Sequence, residues 1–304
     1  MGISFVIPAF NEADNIANVI NRISSSVAFQ FDFEIIVIDN FSSDNTIDEL
    51  SKISGINVIQ FAEKHTVGYV RNFGWQLANY EMIAFIDGDV FLTEEWVSEI
   101  ICLQAVLAQD SFVLGATYSL SESPGWIEKS WFSLMKNMSR KYINGGNLVT
   151  VKSVLAHLNG FDDRLISGED VDFCRRAELS GIRIYHNSNL KVFHEGYPKT
   201  CKSFFLREVW HGVGDVQSFT GFLRSRTALL AFSLFILLSV GFVLSLMHLY
   251  MAAIFTVSLF LLLNVMLMFL KFNVPNVSSA SKIFLLILIY NFARVFSIAR
   301  RGIV

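Results

Sequence analysis

Two short acidic motifs carry the clearest chemistry in this chain. Asp87-Gly88-Asp89 ends an apolar run, Met82-Ile83-Ala84-Phe85-Ile86, and Gly168-Glu169-Asp170-Val171-Asp172 follows about eighty residues later. A diphosphate leaving group departs with its bonding electrons on an oxygen that already bears charge. A divalent cation held by carboxylates neutralises that charge as a Lewis acid, and hard oxygen ligands suit magnesium or manganese. Asp87 and Asp89 can share this task, Asp87 toward a ribose or a metal-bound water and Asp89 on the metal, with Gly88 keeping the backbone compact. Asp-Gly is also a common turn dipeptide, so a strand-end turn explains the motif equally well when it is taken alone.

At the second motif, Ser167 or Gly168 can cap a helix running from about Glu169 to Ser180. Free amides at a helix N-terminus favour an ionised carboxylate. Such a carboxylate can take a proton from an attacking hydroxyl. Acidic residues in a first helical turn also serve as simple caps. Phe161-Asp162-Asp163-Arg164 just upstream, and Arg175-Arg176 on the same helix, tip the balance toward a built site.

The elements needed to position these motifs are visible in the apolar pattern. Strands are expected at Ile3 to Ala9, Phe33 to Asp39, Ile56 to Phe61 and Met82 to Asp87, with helices near Ala13 to Val27, Asp44 to Ile53 and Val67 to Asn79. Wholly apolar strands alternating with helices imply an α/β domain with a mostly parallel sheet covered on both faces. Ligands bind such sheets at the carboxyl ends of the strands. Those ends here carry Pro8-Ala9-Phe10-Asn11-Glu12, Asp39-Asn40 and Asp87-Gly88-Asp89. No Gly-rich phosphate loop follows the first strand, which disfavours a dinucleotide or P-loop fold. Ser4-Phe5-Val6-Ile7, cut short by Pro8 and lacking a basic flank, reads as that first strand and not as a secretory leader.

The remainder of the chain has a different character. No Asp or Glu follows Asp215, while Arg224, Arg226, Lys271, Lys282, Arg294, Arg300 and Arg301 do. A basic, acid-free end beside apolar runs points to anionic lipid headgroups and away from nucleic acid. The 44 residues from Thr227 to Leu270 lack any Asp, Glu, Lys or Arg. As helix they would reach roughly 66 Å, about twice a ~30 Å hydrocarbon core, so two crossings are expected, at about 228–247 and 251–270. Basic residues flank both outer ends, which puts those ends, and the N-terminal domain, on the cytoplasmic side. The last apolar segment, about 283–299, carries Asn291, Arg294, Ser297 and Arg301 at helical spacing. It is either spanning or interfacial, and the polar stripe favours the interface. Cys102, Cys174 and Cys201 form no ligand or disulfide pattern and fit a reducing compartment.

Taken in order, Pro8-Ala9-Phe10-Asn11-Glu12, Asp39 with Ser42-Ser43-Asp44, Arg71-Asn72, Asp87-Gly88-Asp89, Asn144-Gly145-Gly146-Asn147 and Gly160-Phe161-Asp162 through Gly168-Glu169-Asp170 resemble a family-2 glycosyltransferase of the GT-A fold. The resemblance covers roughly residues 3 to 215. It implies a cytoplasmic GT-A domain over 1–226, a membrane domain over 227–304 and placement as a multi-pass protein of the inner membrane, with a role in cell-envelope polysaccharide. It also implies a nucleoside-diphosphate sugar as donor, a membrane-associated acceptor such as a lipid-linked saccharide, and a divalent cation, magnesium or manganese. Pro8, Ala9, Glu12, Asp39, Arg71 and Asp87 would line the nucleotide pocket, with Asp39 near the base. An Asp at the end of a buried strand can indeed accept from a uracil or guanine ring N–H.

Gly146 and Asn147 would approach donor sugar and acceptor, unless they form a plain turn. The metal would be held by Asp87, Asp89 and His194, although a lone loop His is as often just a polar residue. Asp170 would be the general base of an inverting transfer, with Glu169 in support. The Gln-x-x-Arg-Trp motif of processive relatives is poorly matched around Arg207 and Trp210, which favours a single transfer. A polyprenyl-phosphate sugar synthase is the alternative; its phosphate acceptor needs no base. A non-catalytic membrane scaffold on the same fold is more remote, since both acidic motifs are intact.

Overall fold

The apolar runs become strands because nothing polar interrupts their inward faces. In a computed structural model describing residues 2–27, 30, 32–107, 111–135, 142–216 and 218–300, they form β1 (Gly2–Ala9), β2 (Asp32–Asp39), β3 (Asn57–Gln60) and β4 (Met82–Ile86). Between them run α1 (Ile16–Val27), α2 (Thr46–Ser51) and α3 (Val67–Leu77). These strands are parallel, with Val6 opposite Ile36 on one side and Phe85 on the other. The expected α/β architecture is therefore present.

The chain continues through β5 (Val90–Leu92), α4 (Glu94–Leu107), β6 (Phe112–Gly115), β7 (Asn147–Val151), α5 (Lys152–His157), α6 (Glu169–Leu179), β8 (Arg183–His186) and β9 (Val192–His194). The main sheet has the order β3-β2-β1-β4-β7-β6-β8, and β7 runs antiparallel to both its neighbours. That reversal positions the site. The start of β7 lies beside the end of β4, with Asn147 opposite Ile86, so Gly145 and Gly146 arrive next to Asp87. A separate β5–β9 ribbon pairs Val90 with His194 and so brings His194 to Asp89.

The described chain separates into two compact units, Met1–Glu122 with Ser139–Gly196, and Ser123–Met138 with Tyr197–Val304. The two units divide at Gly196, upstream of the change in hydropathy near residue 226. The reason is visible in α7 (Cys201–Asp215), whose polar composition looks soluble. Its Glu208 and Asp215 are held by Arg294 of α11 (Val277–Arg300), at 2.9 and 3.1 Å, so α7 belongs with the apolar helices.

The second unit also contains a π-helical turn, Glu128–Phe132, and the helices α8 (Phe219–Arg224), α9 (Arg226–Leu246) and α10 (Tyr250–Lys271). Trp131, Phe204, Phe272, Ile283 and Leu286 are buried together in its core. Among the described residues, Arg226–Leu246, Tyr250–Lys271 and Val277–Ile298 are long and apolar enough to cross a membrane. The first two match the expected hairpin. The third begins at Val277, earlier than the apolar run alone suggested, and Asn291, Arg294 and Ser297 of its polar stripe do not face outward, while Arg301 lies outside the described residues. Asn291 donates to Asn264 of α10 at 2.9 Å, Arg294 pairs with α7, and Ser297 is buried against Gly212. The argument from that stripe for an interfacial helix therefore falls away.

Candidate active site

The ends of β1 and β2 are knitted into one wall. The Asn11 N–H donates to Ser42 Oγ at 2.9 Å, and Asn11 Oδ1 accepts from the Ser43 N–H at 2.8 Å. Asn11 can do both because it takes a left-handed conformation, φ 58°, which Asn tolerates better than most residues. The Glu12 N–H donates to Thr46 Oγ1 at 2.8 Å and the Ala13 N–H to Asp44 Oδ2 at 3.2 Å. Ala9 closes the wall by accepting from the Asn40 N–H at 2.8 Å, one residue after Pro8.

Asp39 sits at the base of this wall, fully buried. Its Oδ2 accepts from the Ser42 N–H at 3.2 Å, and its Oδ1 is buried with no hydrogen-bond partner in the protein. A buried carboxylate oxygen left unpaired is costly unless something donates to it. A ring imide N–H has the chemistry to do so.

Opposite lies a cluster of charges. Arg71, on α3 and 3% exposed, donates from Nη2 to Asp87 Oδ1 at 2.8 Å and from Nη1 to Glu169 Oε1 at 2.5 Å. Burial disfavours its charge, but Asp87 and Glu169 outweigh burial and raise its pKa. Asp87 Oδ2 accepts from the Tyr118 hydroxyl at 3.1 Å, and that hydroxyl accepts from the Gly146 N–H at 3.1 Å. Burial, with Asp87 next in weight, holds the Tyr118 phenol protonated. A Cβ at Gly146 would overlap the Asp87 carboxylate and the Tyr118 hydroxyl, so only glycine fits there.

Asp89 lies on the ribbon side, its Oδ2 3.4 Å from His194 Nε2, and the His194 ring stacks on Tyr118 with centroids 4.7 Å apart. A Cβ at Gly196 would overlap the Asp89 carboxylate. Glu12 completes this acidic side. Burial first, then the charge of Asp89, raises its carboxyl to about 8, and a hydrogen bond from Asn15 offsets part of that. Mutual repulsion among Glu12, Asp87 and Asp89 is what a divalent cation would relieve. The donor set thus fits such an ion through Asp89 and His194. Among the described residues, no three His, Cys, Asp or Glu side chains converge as a complete ligand set. Asp87 is drawn off toward Arg71 and Tyr118, so the expected trio of Asp87, Asp89 and His194 does not assemble as one protein cage.

Asp170 opens α6 behind Gly168, which occupies φ 83° as the helix cap. Its Oδ2 accepts from the Gly145 N–H at 3.2 Å and its Oδ1 from the Val171 N–H at 2.7 Å. Burial and then the neighbouring Glu169 raise its pKa to about 6, against the lowering pull of Arg71 and the two N–H groups. The loop leading to α6 is fixed by α3. The Asn72 side-chain amide exchanges two 2.8 Å hydrogen bonds with the Phe161 backbone, and Thr66 Oγ1 donates to the Asp163 carbonyl at 2.7 Å.

Asn147 does not join this cluster. Its side chain turns into the core, accepting from Trp96 Nε1 at 3.0 Å and donating to the Ala116 and Leu190 carbonyls. Tyr118 is the residue that sequence reasoning missed. Nothing in Ala116-Thr117-Tyr118-Ser119 signals a site, and only the pairing of β6 with β7 could have pointed to it.

A seven-stranded, mostly parallel sheet with carboxylates gathered at its strand ends defines a GT-A-type α/β domain. A model of glycosyl transferase family 2 matches residues 4–158, and a model of glycosyl transferase family group 2 matches residues 83–274. The chain belongs to glycosyl transferase family 2. Glycosyltransferase AglE of Haloferax volcanii is 24% identical over 207 residues, covering 64% of this chain and 67% of that one. The chain spans 28% and 35% of the length of two other curated relatives that it matches. Among solved structures, mannosyltransferase PcManGT of Pyrobaculum calidifontis, in complex with GDP-Man and Mn2+, aligns with a TM-score of 0.62 at 12% identity over 97% of this chain and 87% of that one. TarS 1–349 of S. aureus, in complex with UDP, aligns with a TM-score of 0.54 at 17% identity over 97% and 90%. These likenesses confirm the fold.

Proposed function

We propose that this protein transfers one sugar from a nucleoside-diphosphate sugar to a hydroxyl of a membrane-associated acceptor, a lipid-linked saccharide, with inversion. The observation that carries this reading is the continuity of the site. Gly145 donates to the Asp170 carboxylate, and the next residue, Gly146, packs against Asp87. A base and a diphosphate-facing carboxylate are therefore held side by side by two consecutive residues. The complexes of the two structural neighbours with GDP-Man and Mn2+ and with UDP support the donor class.

Asp39 accepts from the nucleobase through its unpaired Oδ1, and the Pro8–Glu12 wall lines the nucleotide. Asp89 and His194 would hold the divalent cation, which supplies Lewis-acid neutralisation of the leaving diphosphate when bound. Asp170 takes the proton of the acceptor hydroxyl as its oxygen bonds to the anomeric carbon. The bond from that carbon to the diphosphate oxygen breaks, and its electron pair leaves with the diphosphate. A carboxyl with a pKa of about 6 is ionised at neutral pH yet more basic than an ordinary Asp, which suits this role. A phosphate acceptor would need no such base, so the hydroxyl acceptor is favoured over the polyprenyl-phosphate alternative.

The basic flanks Arg224, Arg226, Lys271 and Lys282 support a cytoplasmic catalytic domain over residues 1–226, followed by a membrane region over 227–304 that keeps the acceptor close. The test is incubation of membranes with a panel of radiolabelled sugar nucleotides, with and without manganese, followed by lipid extraction. Base-stable label in a lipid-linked saccharide that requires Asp170 supports the reading. Label on a lipid phosphate that persists in Asp170→Asn overturns it.

A further inference from the structure

The family resemblance places Arg71 in the nucleotide pocket, but its surroundings assign it another task. Its guanidinium is buried between carboxylates from the two halves of the site: Asp87 at the end of β4 and Glu169 in the first turn of α6. Both faces are covered. A Cβ at Gly145 would lie 2.8 Å from Cζ, and the Phe161 ring centroid is 5.7 Å from Cζ on the loop before α6. Phe161 repeats the link in apolar form, edge-on to Phe85 of β4 at 5.2 Å and stacked on Phe173 of α6 at 4.7 Å.

We propose that Arg71 is a positioning residue that clamps the donor side of the site, at Asp87, to the acceptor side, at Glu169–Asp170, and that Glu169 is its anchor and not a reserve base. This rests on the transfer reaction proposed above. A guanidinium offers two parallel arms in a rigid fork, so it can grip two carboxylates at once; an ammonium is a point charge and cannot fix both. Turning Arg71 toward a diphosphate would strip the buried Glu169 carboxylate and the half-buried Asp87 carboxylate of their counter-charge. Gly145 couples the clamp to the base directly, since it covers the guanidinium and donates to Asp170. Displacing a reacting group by about 1 Å costs on the order of 10²-fold in rate, so loosening the clamp acts on turnover and spares nucleotide affinity.

The test uses full-length protein in detergent, wild type against Arg71→Lys, Glu169→Gln and Asp170→Asn. Binding of UDP and of GDP with manganese is measured by calorimetry. Donor KM, kcat and the pH profile of kcat are measured with the nucleotide sugar that labels membranes. We expect Arg71→Lys and Glu169→Gln to lose about 10- to 100-fold in kcat, with nucleotide affinity and donor KM within about threefold of wild type. In Glu169→Gln the acidic limb of kcat should also move to lower pH, because the charge beside Asp170 is gone.

Nucleotide affinity lowered tenfold or more in Arg71→Lys, with kcat retained at saturating donor, would make Arg71 a donor ligand and overturn the proposal. Unchanged kcat in both variants, or an unmoved acidic limb in Glu169→Gln, would reduce the pair to a structural salt bridge and overturn it as well. If Arg71→Lys does not fold, Glu169→Gln, which keeps an amide oxygen for Nη1, decides the matter alone. Full turnover in Asp170→Asn would instead strike the proposed base, and so is distinguishable from failure of the clamp alone.

Discussion

Removing the Asp170 charge should make the protein inactive and more stable at once. The carboxyl is raised from 3.8 to about 6, chiefly by burial. A carboxyl whose folded pKa lies above its unfolded value contributes stability that is complete below the unfolded value and is lost as pH rises through the folded one. At 1.36 kcal/mol per pH unit, the ionised carboxylate therefore costs about 3 kcal/mol at pH 7.5, and about half of that at pH 5. Asp170→Asn removes this cost but keeps only one acceptor for the Gly145 and Val171 N–H groups, a loss of about 1 kcal/mol. The net gain is about 2 kcal/mol at pH 7.5 and well under 1 kcal/mol at pH 5. For a unit of roughly 180 residues, that is a rise of about 4–8 °C at the higher pH. Thermal unfolding in detergent, followed through the fluorescence of Trp75 and Trp96, reads the shift, and transfer should fall about 10²–10⁴-fold. A melting temperature unchanged or lowered at pH 7.5, or a gain of equal size at both pH values, would refute this account of the Asp170 environment.

Asp89→Ala should abolish transfer while the protein stays folded in the membrane, and excess chelator should do the same to wild type; undiminished turnover in chelator contradicts the metal role. Gly146→Ala forces a methyl into the Asp87 carboxylate and Tyr118 hydroxyl, so transfer should drop at least 100-fold with expression retained, as read by a donor-saturated assay. Tyr118→Phe leaves the Gly146 N–H without its 3.1 Å acceptor, a cost of about 1–3 kcal/mol, and kcat should fall about tenfold as Asp87 loses its second contact. For the hairpin, an impermeant thiol reagent applied from outside should label Leu249→Cys and miss Phe222→Cys and Pro275→Cys; labelling at 275 from outside would break the second crossing.

The parts legible in the sequence were those written in runs. β1, the Ile35–Ile38 stretch of β2, and β4 are strings of apolar residues whose burial on both faces leaves no other element type, and Thr227 to Leu270, within α9 and α10, is a charge-free stretch too long for one crossing. Asp87-Gly88-Asp89 was legible because it sits at the end of such a run, and Gly168-Glu169-Asp170 because it opens a helix. What stayed hidden depends on strand direction and on which way a side chain turns. Asn147 follows two glycines and looked like a ligand contact, yet its place as the first residue of β7, opposite Ile86, aims it into the core at Trp96. Tyr118 enters the site only because β6 lies against an antiparallel β7. The polar stripe of α11 was read as facing water or headgroups, when its partners, Glu208, Asp215 and Asn264, come from α7 and α10.

The Asn264–Asn291 pair has a consequence for how α10 and α11 can move. Asn291 donates to Asn264 Oδ1, while Asn264 donates to the Phe260 carbonyl of its own helix, and both residues are buried. Advancing either helix by one residue would swing its amide by about 100° away from its partner and leave a buried amide without its hydrogen bond. The two helices thus share one setting in which both amides are satisfied, like a key that turns in a single position. Sliding or rolling between them is therefore quantised.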